Sequence, residues 1–255
     1  ADLATMPVTG FEVQCIGDAH IGNFGVFMSR TRHLVFDIND FDETAPGPWE
    51  WDLMRLVASV EICGRDRSFS KGERKDAVRA CAKQYRRAMA SFAEMGEMDV
   101  WLTHLDVEKT LDEIELDGKK GRAVRRALKQ AYEKDSVRAA NKLALRDGGR
   151  LRVDSRPPEL VPLAELSAEQ GYDAAQLSHM LHDLLDAYFE SLPRDCRSLL
   201  GRYRLRDVAR KVVGVGSVGR RAWIALLTGR DDDDPLILQI KEAEESVVER
   251  YWRPS

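Results

Sequence analysis

Residues 11–16 (FEVQCI) alternate loosely between apolar and polar side chains, which predicts a short strand. The glycine-punctuated run GDAHIGNFG that follows predicts a loop. Residues 26–28 and 33–38 predict two further strands, with SRTR as the turn between them. NDFDETAPGP carries acidic residues, two prolines and a glycine, and predicts a loop without regular structure. The period then lengthens. Residues 51–63 hold apolar side chains at helical spacing, a second helix opens at Ser70 and runs to about Ala93, and a third covers roughly residues 121–145. The third has Val124, Leu128 and Ala131 on one face and Arg and Lys elsewhere. A solvated basic face explains that pattern, and a phosphate- or substrate-binding face would also produce it.

Residues 150–162 (RLRVDSRPPELVP) are rich in proline and read as a connector, the best internal boundary in the chain. Helices are predicted over 172–191 and, more briefly, over 193–201. The pattern then changes to strands over 212–213, 222–227 and 236–240, with a glycine loop between the first two, DDDDP as the turn between the last two, and a final helix. The acidic run reads as a solvated hairpin tip in preference to a metal site. Together the elements predict an α+β fold with a large helical portion. It divides into a part over 1–150 that combines loops and helices, a helical connector over 151–205 and a β-rich part over 206–255.

Composition narrows the classes. A chain of 255 residues, 44% hydrophobic, can bury the core of one large domain or two small ones. Charged residues at 32% fit long solvated helices. A net charge of −4 argues against nucleic acid as the main partner. Cys15, Cys63, Cys81 and Cys196 are scattered, which suits buried thiols in a reducing cytosol better than disulfides or a zinc knuckle. No basic-then-apolar leader opens the sequence and no run approaches the roughly 18 apolar residues of a membrane span, so a cytoplasmic protein is expected. An initial Ala and a last helix that stops soon after it starts are read as possible cuts at both ends.

Two constellations carry candidate chemistry. Phosphoryl transfer needs a carboxylate near the attacking hydroxyl, oxygen ligands for magnesium, and donors around the phosphates. In the loop after the first strand, Asp18 and Asn23 stand five residues apart. Asp40-Phe41-Asp42 follows in the loop after a later strand, and a hairpin between would bring the two loops side by side. An Asp and an Asn in a glycine loop are also common turn formers, and Asp42 and Glu43 also read as surface acids. His20 reads as a group that orients the Asp18 loop or as a turn cap. Asp52 reads as structural support, capping its helix and bracing the Asp18 loop. Trp49 and Trp51 read as core anchors in preference to substrate platforms. The second constellation is GVGSVG, with Gly214, Gly216, Ser217 and Gly219, followed by Leu238-Gln239-Ile240-Lys241. GxGxxG serves Rossmann folds and kinases alike. Here a strand, not a helix, is predicted after it, which favours the kinase arrangement of a glycine hairpin over the ATP phosphates.

GDAHIGN is similar to the HGDxHxxN loop of the aminoglycoside and choline phosphotransferase group, within the protein-kinase-like fold. That resemblance implies Asp18 as catalytic base and Asn23 as a magnesium ligand. Asp40-Phe41-Asp42 resembles the group's IDF element, which implies Asp40 as a metal ligand with Asp42 beside it, and Asp52 stands twelve residues on, where the group has the Asp of its DPxxDLA helix start. Ile16 replaces the group's frequent His, and the Asn23–Asp40 gap is a little long, so Asp37 remains an alternative ligand. LQIK resembles the VAIK strand, which implies Lys241 as the phosphate-gripping lysine, paired to Glu244, Glu245 or Glu249, with Glu245 or Glu249 preferred. In ordinary kinases the glycine loop comes first; here it follows the catalytic loop, which implies a circularly permuted two-lobe architecture.

GDAHIGNFGVF, LVFDINDFDETAPGPWEWDLMRL, KVVGVGSVGRRAW and DPLILQIKEA also resemble a bacterial family catalogued as the domain-of-unknown-function family 2252. The expectation is an ATP- and Mg²⁺-dependent phosphotransferase acting on a small-molecule or unidentified hydroxyl acceptor. Alternatives are a nucleotide-binding pseudokinase, a nucleotidyl transferase, and a metal hydrolase using Asp18, His20, Asp37 and Asp40. Expected partners are nucleotide and small-molecule substrate, with no membrane.

Overall fold

The computed structural model describes residues 2–107, 110, 121, 126, 128, 140, 142–170, 173–212, 222–242 and 244–252. The chain is a mixed α+β protein that divides into two compact units, one of residues 1–132 with 243–255, the other of residues 133–242.

In the first unit, β1 (Glu12–Cys15) pairs antiparallel with β4 (Ala45–Pro48). Between them, β2 (Phe24–Met28) and β3 (Leu34–Ile38) form an antiparallel hairpin in the register Phe24↔Ile38 to Met28↔Leu34. The 29–33 turn closes it through the Ser29 amide on the His33 carbonyl, 2.9 Å. β4 overturns the expectation of an irregular 39–48. Its sequence is Ala-Pro-Gly-Pro, and proline is tolerated because a two-stranded ribbon asks only one edge of each strand for donors. Gly47 is the enabling residue: a Cβ there would stand 2.7 Å from Val248 Cγ1.

α1 (Trp49–Asp66) and α2 (Lys71–Phe92) pack together, and a short α3 (Glu97–Leu102) follows. α2 begins where the sequence predicts. The Ser70 hydroxyl accepts the Glu73 amide while the Glu73 carboxylate takes the Ser70 amide, a capping box. One core cluster joins buried Leu34 and Val107 to Val26, Met28 and Leu128; complete burial of a leucine like Leu34 stabilises by about 2 kcal/mol. Another joins Ala45, Trp51 and Val248 to Leu3, Val8 and Trp252.

The second unit is built on the antiparallel sheet β10–β9–β8–β7, of β7 (Leu160–Pro162), β8 (Arg204–Lys211), β9 (Ala222–Thr228) and β10 (Pro235–Lys241). Central β9, Ala-Trp-Ile-Ala-Leu-Leu-Thr, is buried along nearly its whole length, as a strand covered on both faces must be. On one face Ile224 and Leu226 pack with Val153 of the hairpin β5 (Ala144–Asp147) and β6 (Arg150–Val153). On the other, Ala225 and Leu227 pack with Leu185 of α5 (Ala174–Ser191), which follows α4 (Leu163–Gln170) and precedes α6 (Arg194–Leu200).

Several sequence expectations change here. Ala144 and Leu145, expected at the end of a helix over 121–145, begin a strand; most of that helix lies outside the described residues. The expected connector over 150–162 supplies β6 and β7. Where a strand is expected over 212–213, β8 ends at Lys211 just before Val212, and residue 213 lies outside the described residues. The DDDD turn is more than a solvated tip: Asp232 accepts the Leu151 amide at 3.2 Å and Asp233 pairs with Arg146, docking the β5–β6 hairpin. No helix among the described residues is long and apolar enough to cross a membrane. α7 (Val247–Trp252) returns to the first unit.

Candidate functional site

The first constellation lies on two loops of the first unit, and α1 is the template for one of them. Three polar side chains at helical spacing, Asp52, Arg55 and Ser59, meet the loop after β1. Asp52 accepts the Ile16 amide at 2.6 Å and the Gly17 amide at 3.0 Å. Arg55 donates from Nε (3.1 Å) and Nη2 (2.8 Å) to a single oxygen of Asp18, Oδ1. Ser59 Oγ accepts the Ile21 amide at 2.9 Å and donates to the Leu56 carbonyl. Asp52 therefore braces the loop, while the N-cap of α1 is Pro48 and receives no side-chain bond. Burial raises the Asp52 carboxyl above the usual carboxylate range, and the Ile16 and Gly17 amides pull the other way without cancelling it.

Within the loop, Asn23 Nδ2 donates to the Asp18 carbonyl at 2.9 Å, which leaves Asn23 Oδ1 as the amide's ligand atom. Of the two roles that the sequence suggests for His20, the turn cap is the one made by a hydrogen bond. Its Nδ1 accepts the Gly22 amide at 3.0 Å and caps a 3₁₀ turn over Ile21–Asn23. With Nδ1 an acceptor, Nε2 carries the proton of a neutral ring and faces Asp18 Oδ2 at 3.5 Å. The Asp18 side chain is 40% exposed, so its carboxylate is open to a ligand.

The 39–44 loop is locked onto this one. The Asn39 amide donates to the Asn23 carbonyl at 3.0 Å. Gly17, at φ +83°, lies against Glu43, where a Cβ would come within 1.9 Å of the carbonyl oxygen. Glu43 also anchors the chain's last helix: its carbonyl accepts Ser246 Oγ at 2.7 Å and its carboxylate the Val247 amide at 2.9 Å. Asp40 and Asp42 are half-buried in this loop, immediately after the Asn39 link. Asp37 lies instead on β3, exposed, with Oδ1 turned back to the Ile38 amide at 2.8 Å.

Among the described residues no three His, Cys, Asp or Glu side chains form a group that could hold a metal ion. Asn23 Oδ1 and the Asp40 carboxylate are oxygen donors carried one on each of the two linked loops. Magnesium characteristically takes one or two protein oxygens and completes its octahedron with phosphate and water, so the donor chemistry of the two linked loops fits that ion in a nucleotide complex.

Around the site the aromatic residues build the frame. Trp49 stacks on Tyr85 (5.6 Å, 7°), and Trp51 meets Trp252 edge-on at 5.8 Å. Glu50 is buried at 8% exposure, with Oε1 receiving both the amide and the hydroxyl of Thr9 at 2.6 Å. Burial and the negative charges of Asp52, Glu12 and Glu50 push the Cys15 thiol up to about 12, so it is no nucleophile at neutral pH.

Of the second constellation, Gly214, Gly216, Ser217 and Gly219 lie outside the described residues. Lys241 closes β10, exposed, in register with Ala222, the first residue of β9. In the first unit, Glu244 and Glu245 are exposed just before α7, and Glu249 is exposed in its first turn. His179 and His182 sit on the outside of α5, His179 beside Asp183 and His182 on its own helix carbonyl.

Sequence reasoning missed Arg55 and Ser59. The signal that could have found them is the spacing Asp52–Arg55–Ser59, i, i+3, i+7, which puts three polar side chains on one face of α1.

Fold and site define a mixed α+β protein with two linked, oxygen-rich loops, one of them braced by α1. The whole chain, residues 1–255, matches the family described as "Uncharacterized protein conserved in bacteria (DUF2252)", and it belongs to that family. No curated protein and no solved structure matches it.

Proposed function

We propose that this chain is an ATP- and Mg²⁺-dependent phosphotransferase of circularly permuted, kinase-like build that acts on a small-molecule hydroxyl acceptor. The observation that carries the reading is the interlock of the two loops: Asn23 bonded to Asp18, and Asn39 bonded to Asn23, so that the base and the metal oxygens belong to one braced assembly. In this reading Asp18 takes the proton of the acceptor hydroxyl, and Asn23 and Asp40, with Asp42 beside them, hold magnesium, which neutralises charge on the phosphates.

Lys241 is assigned to the phosphates. Its place supports this: in the antiparallel sheet it pairs with the residue that directly follows the glycine-bearing segment 213–221. Gly214, Gly216, Ser217 and Gly219 enter the reading through their sequence pattern.

The test follows ATP with ³¹P NMR in the presence of Mg²⁺ and a panel of hydroxyl acceptors, for wild type and Asp18→Asn. ADP and a phosphorylated acceptor with wild type, and neither with Asp18→Asn, is the expected result. AMP and pyrophosphate would replace the reading by nucleotidyl transfer. Intact ATP throughout would leave a nucleotide-binding role without turnover.

A further inference from the structure

We propose that Arg55 is the positioning residue of this site, holding Asp18 by one carboxylate oxygen so that the other is presented to the acceptor hydroxyl; this rests on the phosphotransferase reading. The contact is asymmetric. An arginine that only tethers a carboxylate typically uses both oxygens, in two parallel bonds. Here Nε and Nη2 converge on Oδ1, at 3.1 and 2.8 Å, and neither goes to Oδ2. Oδ2 faces His20 Nε2 at 3.5 Å, beyond a good hydrogen bond. One oxygen is saturated by a cation, and the other keeps its lone pairs.

Arg55 can impose this geometry because it sits on a rigid support. One turn before it, Asp52 fixes the Ile16 and Gly17 amides, and one turn after it Ser59 fixes the Ile21 amide. Asp18 is thus held from both sides in the chain and directly at its carboxylate. The guanidinium cannot itself exchange a proton at working pH. In the step, the acceptor O–H proton passes to Asp18 Oδ2 and the oxygen's electron pair forms the new O–P bond. The bridging P–O bond of ATP breaks, its electrons leaving on ADP. Arg55 keeps Asp18 turned for that transfer.

The experiment uses Mg–ATP with water as acceptor, read as ADP release, together with the backbone amide resonance of Asp18 in nucleotide-free protein. Arg55→Ala is expected to lower kcat about a hundredfold, the usual loss for a misplaced reacting group, with KM for Mg–ATP nearly unchanged. Free guanidinium is expected to restore turnover to Arg55→Ala but not to Asp18→Asn, and to shift the Asp18 amide in Arg55→Ala but not in wild type. Arg55→Lys keeps the charge with single-point donors and is expected to fall between the two, which also controls for folding. Wild-type turnover in Arg55→Ala overturns the proposal and leaves the phosphotransferase reading intact. So does a loss that guanidinium cannot rescue although it moves the amide. No turnover in wild type with water or with the panel of hydroxyl acceptors, with the amide response present, removes the phosphotransferase reading and reduces the pair to a structural clamp.

Discussion

Asp52 Oδ1 accepts the Gly17 amide at 3.0 Å, and that glycine adopts φ +83° with the Glu43 carbonyl where a side chain would be. One residue thus joins the helix, the Asp18 loop and the Asp40 loop. The two acidic loops lie far apart in sequence, and this contact is a large part of what makes them one structure.

Gly17→Ala tests that junction. The left-handed backbone disfavours any Cβ, and a contact of 1.9 Å with a backbone oxygen cannot be relieved by a rotamer change. A loss of about 3 kcal/mol is expected, at the upper end of overpacking effects, measured by denaturant unfolding.

Asp52→Asn gives a pH signature. Burial raises the Asp52 carboxyl in the folded state above its unfolded value, so the folded protein holds that proton more tightly. The stability linked to this proton is fully present below the unfolded value and is lost as pH rises through the folded one. The variant also gives up charge-assisted bonds to two amides, about 2 kcal/mol in all. The stability gap between wild type and Asp52→Asn should therefore widen on acidification from neutral pH into the carboxylate range. A gap that narrows would refute the assignment.

Glu50→Gln should behave in the opposite sense. Burial alone would raise Glu50, but the hydroxyl and amide of Thr9 outweigh it and hold the carboxyl below its usual range. Its contribution is present above the unfolded value and is lost as pH falls through the folded one. The wild-type advantage over Glu50→Gln, on the order of 1–3 kcal/mol at neutral pH, should shrink in acid, read from unfolding curves at several pH values.

Lys241→Ala separates binding from folding. The side chain is exposed at the end of β10, so stability should change by no more than about 0.5 kcal/mol. If the lysine grips phosphate, ATP affinity falls about tenfold or more, a loss of about 1.4 kcal/mol or more, by calorimetry. Unchanged affinity would return Lys241 to the surface.

Much of the fold is legible where local chemistry decides it. Ser70 and Glu73 announce the start of α2 by a capping box, the 26–38 hairpin shows in its apolar alternation, and β9 and β10 show in their apolar runs. The misses are places where tertiary contacts override local signals. Ala-Pro-Gly-Pro becomes β4 because β1 and Val248 cover it. β8 (Arg204–Lys211) hides as a strand because Arg and Asp interrupt it; Arg206 sits at a register shift and bonds Thr228, while Asp207 reaches back to the Val153 amide. At the site, the acidic loop residues are visible as a motif. Arg55, whose contact with Asp18 spans 37 positions, becomes visible only once α1 lies against the loop.

The most direct test of the central claim is calorimetric titration of ATP into the protein with and without Mg²⁺, for wild type and Asp40→Ala. Magnesium held at Asp40 requires that Mg²⁺ strengthen ATP binding to wild type and that Asp40→Ala lose that dependence. Binding that ignores Mg²⁺, or an Asp40→Ala variant that keeps the full magnesium response, would contradict it.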